Sequence, residues 1–241
     1  MSSRENLSRT SLYLQIFDIL IERISSGGWK PGRSLPNEFD LAREFGVSAG
    51  TIRKALDKLE ADRVIKRQHG KGSFVLDQNS EELAFRFSKI VDHNGKRAGD
   101  SQSTLLAQEI GEATPVECQC LALKGGGEIV RTKRLRRHHG RATRYETTCL
   151  AMSRLGITTL QQVGDYLIVP LAQQQGVHLA RASEKLTVVQ ASDEVASLLT
   201  IEPGKVLLKL DRVIYALDGD PVEWRASLCD LQSEYYVAQM Q

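Results

Sequence analysis

"SAGTIRKALDKLE", residues 48–60, decides how the first third of the chain folds. Ser48 is a good helix N-cap, with its oxygen available to the amide of Thr51. Ile52, Ala55, Leu56 and Leu59 follow at i, i+3, i+4 and i+7, the buried stripe of an amphipathic helix. The opposite arc carries Gly50, Arg53, Lys54, Asp57 and Lys58. Such an arc is either solvated surface or a face that reads a partner, and its neighbours choose between the two.

Upstream, Leu12, Ile16, Ile19, Leu20 and Ile24 recur at helical spacing until Gly27-Gly28 ends the run. Pro36 suits the first turn of a second helix, where its missing N–H costs nothing. Glu38 complements the dipole there, Leu41, Ala42 and Phe45 supply the apolar stripe, and Gly46 breaks the helix. Downstream, the β-like runs "VIKRQ" and "SFVL" are joined by "HGKG", residues 69–72, a hairpin tip. Helix, helix, tight turn, helix and hairpin make a winged helix-turn-helix, so the arc of 48–60 is expected to enter a DNA groove. Residues 77–84, "DQNSEELA", read as a linker, which divides the chain into 1–76, 77–84 and 85–241.

Bulk composition agrees. The 241 residues are 41% apolar and 26% charged, enough for a sizeable core in two domains. No apolar run approaches the roughly 18 residues of a membrane span, and "MSSRENLSRTS" has no signal-peptide core, so a cytoplasmic protein without a membrane partner is expected. Residues 1–76 hold 13 Lys/Arg against 9 Asp/Glu, or +4, and the remainder 19 against 21, or −2. A modestly basic first part fits nucleic-acid contact without demanding it. Cys118 and Cys120, placed on a strand, would lie side by side; with Cys149 and Cys229 they read as small buried thiols. His138 and His139 adjoin in a turn and cannot converge on one ion, so neither a metal nor a cofactor is expected. Trp29 and Trp224 read as core or pocket-wall aromatics, and "KGGGEI" as a loop without the features of a phosphate loop.

The second part changes texture. "EIVRTKRLRRHHGRATRYETTCLA" alternates like a hairpin around "HHGR", and "KVLLKLDRVIYALDGDPVEWRASLCD" does so around "LDGD". With helix-like "TTLQQVGDYL" and "SDEVASLLTI" between them, the expected fold is α+β around an antiparallel sheet. Arg134 and Arg136, two apart on a strand, project from one face, and paired guanidinium forks suit a carboxylate or phosphate. Glu146 lies across the first turn, while Arg212 and Glu223 come from the second hairpin. Their carboxylates can accept bonds from ligand hydroxyl or amino groups.

Residues 29–75, "WKPGRSLPNEFDLAREFGVSAGTIRKALDKLEADRVIKRQHGKGSFV", resemble the winged-helix domain of GntR-type bacterial transcription regulators. That family has P-x-G, L-P-S-E, L-A-x-x-F-x-V-S-R-x-T-V-R-x-A-L and a G-x-G-T-F-V wing. "KRLRRHHGRATRYETTCL" and "LLKLDRVIYALDGDPVEWRAS" resemble the UTRA effector-binding domain of the HutC subgroup, a fold similar to chorismate lyase. Ala49 stands where the family has Arg after V-S, Phe39 where an Arg commonly follows L-P-S-E, and Tyr166 where sugar-phosphate-sensing relatives have Ser. A different operator and a different kind of ligand are therefore expected.

For DNA, the resemblance and the helix geometry together point to Asn37, Glu38, Ser48, Ala49, Gly50, Thr51, Arg53 and Lys54, with His69, Gly70, Lys71 and Gly72 on the wing. Arg53 can form a bidentate pair with guanine. Ser48, Thr51 and Lys54 suit phosphates, Ala49 a thymine methyl, and His69 and Lys71 a minor groove. For the effector, the resemblance implies Arg134, Arg136, Glu146 and Glu223, joined by Arg86, Tyr166, Arg181, Arg212 and Tyr236. The expected protein is a homodimeric repressor that leaves a palindromic double-stranded DNA operator when a small anionic metabolite binds. An enzyme acting on a small carboxylic or aromatic acid is the alternative, although no nucleophile–base or metal constellation stands out.

Overall fold

A computed structural model describes the chain apart from residues 1–10, 26, 31, 77–86, 96–101, 164–167, 217, 233 and 239–241. The chain divides into two compact units, residues 1–78 and 79–241. The linker expected at 77–84 lies outside the described residues. No described helix is long and apolar enough to cross a membrane.

The first unit holds α1 (Leu12–Ser25), α2 (Glu38–Phe45) and α3 (Ala49–Ala61), then β1 (Ile65–Gln68) and β2 (Gly72–Val75). In α1 the buried residues are Ile16, Phe17 and Leu20, whereas Leu12 and Ile19 are exposed. The stripe is therefore narrower than the spacing predicts, with Phe17 joining it. Lys58 of α3 sits 4.8 Å from the Phe17 ring centroid. The start of α2 also differs. Asn37, not a residue near Pro36, is the N-cap, and its side chain accepts from the amides of Phe39 and Asp40. Pro36 precedes the cap because a carboxamide that satisfies two open amides is the stronger start signal. Gly46 closes α2 in the left-handed conformation at φ 64°. Ser48 caps α3 through the Thr51 amide, and Ile52, Ala55, Leu56 and Leu59 are buried. The wing pairs Ile65 with Val75 and Gln68 with Gly72.

The second unit is built on one six-stranded antiparallel sheet. Its strands, introduced after β3 (Ile90–Asp92), are β4 (Gln102–Glu112), β5 (Glu128–His138), β6 (Arg141–Ala151), β7 (Leu179–Gln190), β8 (Val206–Ala216) and β9 (Pro221–Cys229). They lie in the order β4-β5-β6-β9-β8-β7, and β3 pairs separately with β10 (Glu234–Tyr236). The β5–β6 hairpin turns on His139 and Gly140, both at positive φ (49° and 77°), as a two-residue turn between right-twisted strands requires. Helices cover both faces. Val130, Leu150 and Ile214 pack under α5 (Met152–Leu155) and α6 (Ile168–Gln174) on one side. Leu135, Tyr145, Leu207 and Leu228 pack under α7 (Asp193–Leu199) on the other. On that second side Ile129, Cys149 and Ala151 meet Leu121, with Trp224 half-buried against them.

The thiols correct one expectation. Cys118 and Cys120 lie on α4 (Pro115–Cys120), not on a strand, because Thr114 and Glu117 form a capping box around Pro115 that starts a helix. Residues two apart on a helix do not face each other, and both thiols are only half-buried, whereas Cys149 and Cys229 are buried.

Candidate nucleic-acid interface and effector site

The exposed arc of α3 and the wing tip are built from the residues the sequence singles out. Gly50, Arg53, Lys54, His69, Gly70, Lys71 and Gly72 are all exposed. Arg53 does not wave freely: its Nε and an Nη donate to Glu38 Oε2 at 3.0 and 2.8 Å. Glu38 therefore holds the guanidinium from the first turn of α2. Arg67 of β1 reinforces the same corner, donating to the Arg53 carbonyl at 3.2 Å and pairing with Asp57 at 2.7 Å. Its own amide donates to Glu60. The wing is thus tied to α3. Between the start of α2 and the wing lies a groove of about 770 Å³, lined by Asn37, Glu38, Arg67, His69 and Lys71 among others. Asn37 and Ser48 spend their side chains on capping, and the Ser48 hydroxyl bonds that of Thr51 at 2.9 Å. Phe39 is strongly exposed beside them, 71% of its surface in solvent.

In the second unit, strand periodicity places one row of side chains per strand on each face. Register sets Arg134 opposite Glu146, and Arg136 opposite Arg144. It also sets Glu146 opposite Ser227, Thr148 opposite Arg225, and Arg225 opposite Arg212. All lie on one face, between the apolar cluster under α5 and α6 and a second cluster of Ile90, Leu210 and Cys229. The middle of this face is charged yet buried: Arg134 is 3% exposed, Arg136 8%, Glu146 4% and Glu223 not at all. Arg136 Nε donates to Glu146 Oε2 at 2.8 Å, and Arg225 reaches Glu146 at 3.6 Å and Glu223 at 3.1 Å. Ser227 donates to Glu146 Oε1 at 3.4 Å, and Arg134 to Ser103 at 3.3 Å. Burial alone would raise the Glu146 carboxyl. The guanidinium groups of Arg136, Arg225 and Arg144 outweigh it and hold the group well below the usual carboxylate range. Arg212 donates to Glu184 at 2.7 Å, whose other oxygen accepts from the Tyr236 hydroxyl at 2.6 Å. Burial and that carboxylate push the Tyr236 phenol up to about 12.

Of the nine effector residues expected, the fold gathers Arg134, Arg136, Glu146, Glu223, Arg212 and Tyr236 on one face. Arg181 is not among them. It pairs with Tyr215 on the opposite face, where its guanidinium stacks 3.8 Å from the ring centroid. A register shift after Leu179 inverts the side from which it projects. Arg86 and Tyr166 lie outside the described residues. Arg144, Arg225, Ser227 and Glu184, not among the expected residues, share the charged face. Extending the period-two rows through Glu146 and Glu223 would have found the first three.

Residues 96–233 match the family described as UTRA domain, and residues 12–75 match bacterial regulatory proteins of the gntR family. The chain belongs to the UTRA-domain family, here preceded by a gntR-family domain, and is a bacterial transcription regulator rather than an enzyme. It is 26% identical over 213 residues to the mannosyl-D-glycerate transport/metabolism system repressor MngR of Escherichia coli, covering 88% of this chain and 89% of that one. The histidine utilization repressor of Pseudomonas putida is also 26% identical, over 83% of this chain and 81% of the other. Among solved structures, the ligand-binding domain of a protein from Bordetella bronchiseptica assigned to the GntR family superposes with a TM-score of 0.59 at 27% identity. That match covers 65% of this chain and 98% of the other.

Proposed function

We propose that the protein is a ligand-responsive repressor of the HutC subgroup. As a homodimer it binds a palindromic operator and leaves it when a small anionic effector occupies the charged middle of the sheet. The observation that carries this reading is the set of buried arginines 134, 136, 144 and 212, with the half-buried Arg225 beside them, in the domain that follows the winged helix. Guanidiniums gathered between two apolar clusters form an anion site with water largely excluded, where charge-assisted bonds are strongest. The relatives support a repressor, since those cited are named as repressors of systems handling mannosyl-D-glycerate and histidine.

On the DNA side, Arg53 reads guanine from the major groove, Lys54 and Thr51 contact phosphates, and His69 and Lys71 enter the minor groove from the wing. Ala49 offers a methyl contact in place of an arginine, so the operator differs from those of arginine-bearing family members. Each half-site falls to one protomer, and the two-fold axis of the dimer matches that of the DNA. Effector binding shifts the population toward a dimer that fails to present both recognition helices. A coupling of about 1–3 kcal/mol accounts for release.

The test is a fluorescence-anisotropy titration on an operator selected in vitro, with a panel of anionic metabolites that also serve in a thermal-shift screen. A metabolite that raises the melting temperature and weakens operator binding supports the reading. Arg136→Ala is expected to bind operator yet ignore that metabolite, and a variant that still responded would refute the assignment of the site.

A further inference from the structure

The β3–β10 ribbon brings to the charged face a carboxylate that the effector site as described does not use. Tyr236 of β10 reaches Glu184 with its hydroxyl at 2.6 Å, and Ile90 of β3 packs with Leu210 and Cys229. The ribbon therefore turns these side chains toward the sheet. Register pairs Tyr236 with Ile90 and Glu234 with Asp92, so Glu234 and Asp92, each two residues along, leave the ribbon on the same side. Glu234 is only 4% exposed, and neither of its carboxylate oxygens has a hydrogen-bond partner among the described residues. Its charge is felt by the Cys229 thiol together with those of Arg144, Glu146 and Arg212, so it borders the same cluster.

Among the described residues nothing compensates it through a hydrogen bond. Arg212 is engaged by Glu184 at 2.7 Å, and Arg136 by Glu146 at 2.8 Å. Asp92, directly opposite, is a second carboxylate, with one oxygen accepting from the Asn94 amide at 2.9 Å. Like charges facing each other across an antiparallel pair repel, and a buried carboxylate without a donor is costly. A fold retains such a group where something else completes it.

We propose that Glu234 is an effector-contacting residue that accepts bonds from an N–H or O–H donor on the ligand, so the effector is an anion that also carries an amino or hydroxyl group. The anionic end meets the arginines of β5, β6 and β9, and the donor end meets the ribbon. This rests on the effector-site reading above. It also restricts the ligand to amino acids, hydroxy acids and their sugar counterparts, and excludes simple carboxylates and inorganic phosphate.

The test is differential scanning fluorimetry of the full chain, with two matched triads as probes: propionate, lactate and alanine; and glutarate, 2-hydroxyglutarate and glutamate. Without probe, Glu234→Gln is expected to melt about 2–6 °C above the wild type, because it removes a buried charge that no donor satisfies. A lower melting temperature would mean that the carboxylate holds the fold together, and the proposal would fall. With probe, the substituted acids are expected to stabilise the wild type more than the plain acid, and the better of amine and hydroxyl identifies the donor. Glu234→Gln should lose that preference. Equal, non-zero shifts across a triad overturn the proposal, and if neither triad shifts the melting temperature, the comparison of the free proteins decides. Arg134→Gln separates the two levels. If only the role of Glu234 is wrong, Arg134→Gln loses the probe shift while Glu234→Gln keeps it; if the effector site itself is misplaced, both keep it.

Discussion

Arg53 and Glu38 are joined by two hydrogen bonds, 3.0 and 2.8 Å long, across the turn between the second and third helices. The base-reading candidate is thus oriented before DNA arrives, and the Glu38 hydrogen bond raises the guanidinium pKa further above its already high value. Binding exchanges one partner for another instead of fixing a freely moving side chain, which limits the entropy lost on docking.

Arg53→Ala should therefore cost about 1–3 kcal/mol of operator affinity, roughly 5- to 150-fold, with little change in binding to scrambled DNA. Glu38→Ala should reduce the ratio of specific to non-specific affinity while leaving the melting temperature within a few degrees. Anisotropy titrations on both sequences measure both effects, and unchanged specificity in either variant would contradict the assigned roles.

Lys54 should act through phosphates. Replacing it by Ala is expected to weaken operator and random DNA alike and to lower the slope of log K against log salt by about 1. A titration between low and moderate salt on one duplex is sufficient.

Glu146 carries two guanidinium contacts in a buried site, so removing its charge strands them. Glu146→Gln should destabilise the second unit by about 3–5 kcal/mol, read from denaturant unfolding. Loss of less than about 1 kcal/mol would show that the arginines are compensated elsewhere.

Acid stability provides a separate check on the opposite face. Arg131 bonds Glu117 through two nitrogens at 2.6 and 2.7 Å and holds its carboxyl at about 2, below the ordinary 4.5. The folded-state pKa is depressed, so this stabilisation is complete above about pH 4.5 and is lost as the pH falls toward 2. Arg131→Met should lower the melting temperature at pH 7 and flatten its decline between those values by close to one proton.

Burial raises the Cys149 thiol, aided by the carboxylate of Glu117, and pushes Cys229 up to about 12. Iodoacetamide at pH 8 should label Cys118 and Cys120 in the native protein and reach Cys149 and Cys229 only after unfolding. Mass spectrometry of the labelled peptides distinguishes the four.

The winged helix was readable because every signal in it is local: Ser48 caps, Gly46 breaks, and Ile52 to Leu59 repeat at the helical period. The two hairpins were readable for the same reason, as His139-Gly140 and Asp218-Gly219 are short-range turn signals. The pairing of β6 with β9 joins residues about 73 to 85 positions apart, and Tyr236 of β10 reaches Glu184 from 52 positions away, so no local pattern announces either. That is why Glu146 and Glu223 were singled out through family likeness while Arg225 and Arg144, in the same rows, were not. Arg181 lies on the opposite face for a related reason. A single extra residue in a strand reverses inside and outside, and a bulge of that kind leaves no mark in composition.

The sheet proposed to carry the effector site has its two apolar clusters at the ends of one face and its charges between them. A ligand settling there bridges two patches of core that the protein alone leaves separated, so it acts as a missing piece of the interior. Melting temperature and regulatory signal are then two readings of one event. Mutations that make the empty domain sturdier by bridging those patches would be expected to deafen it.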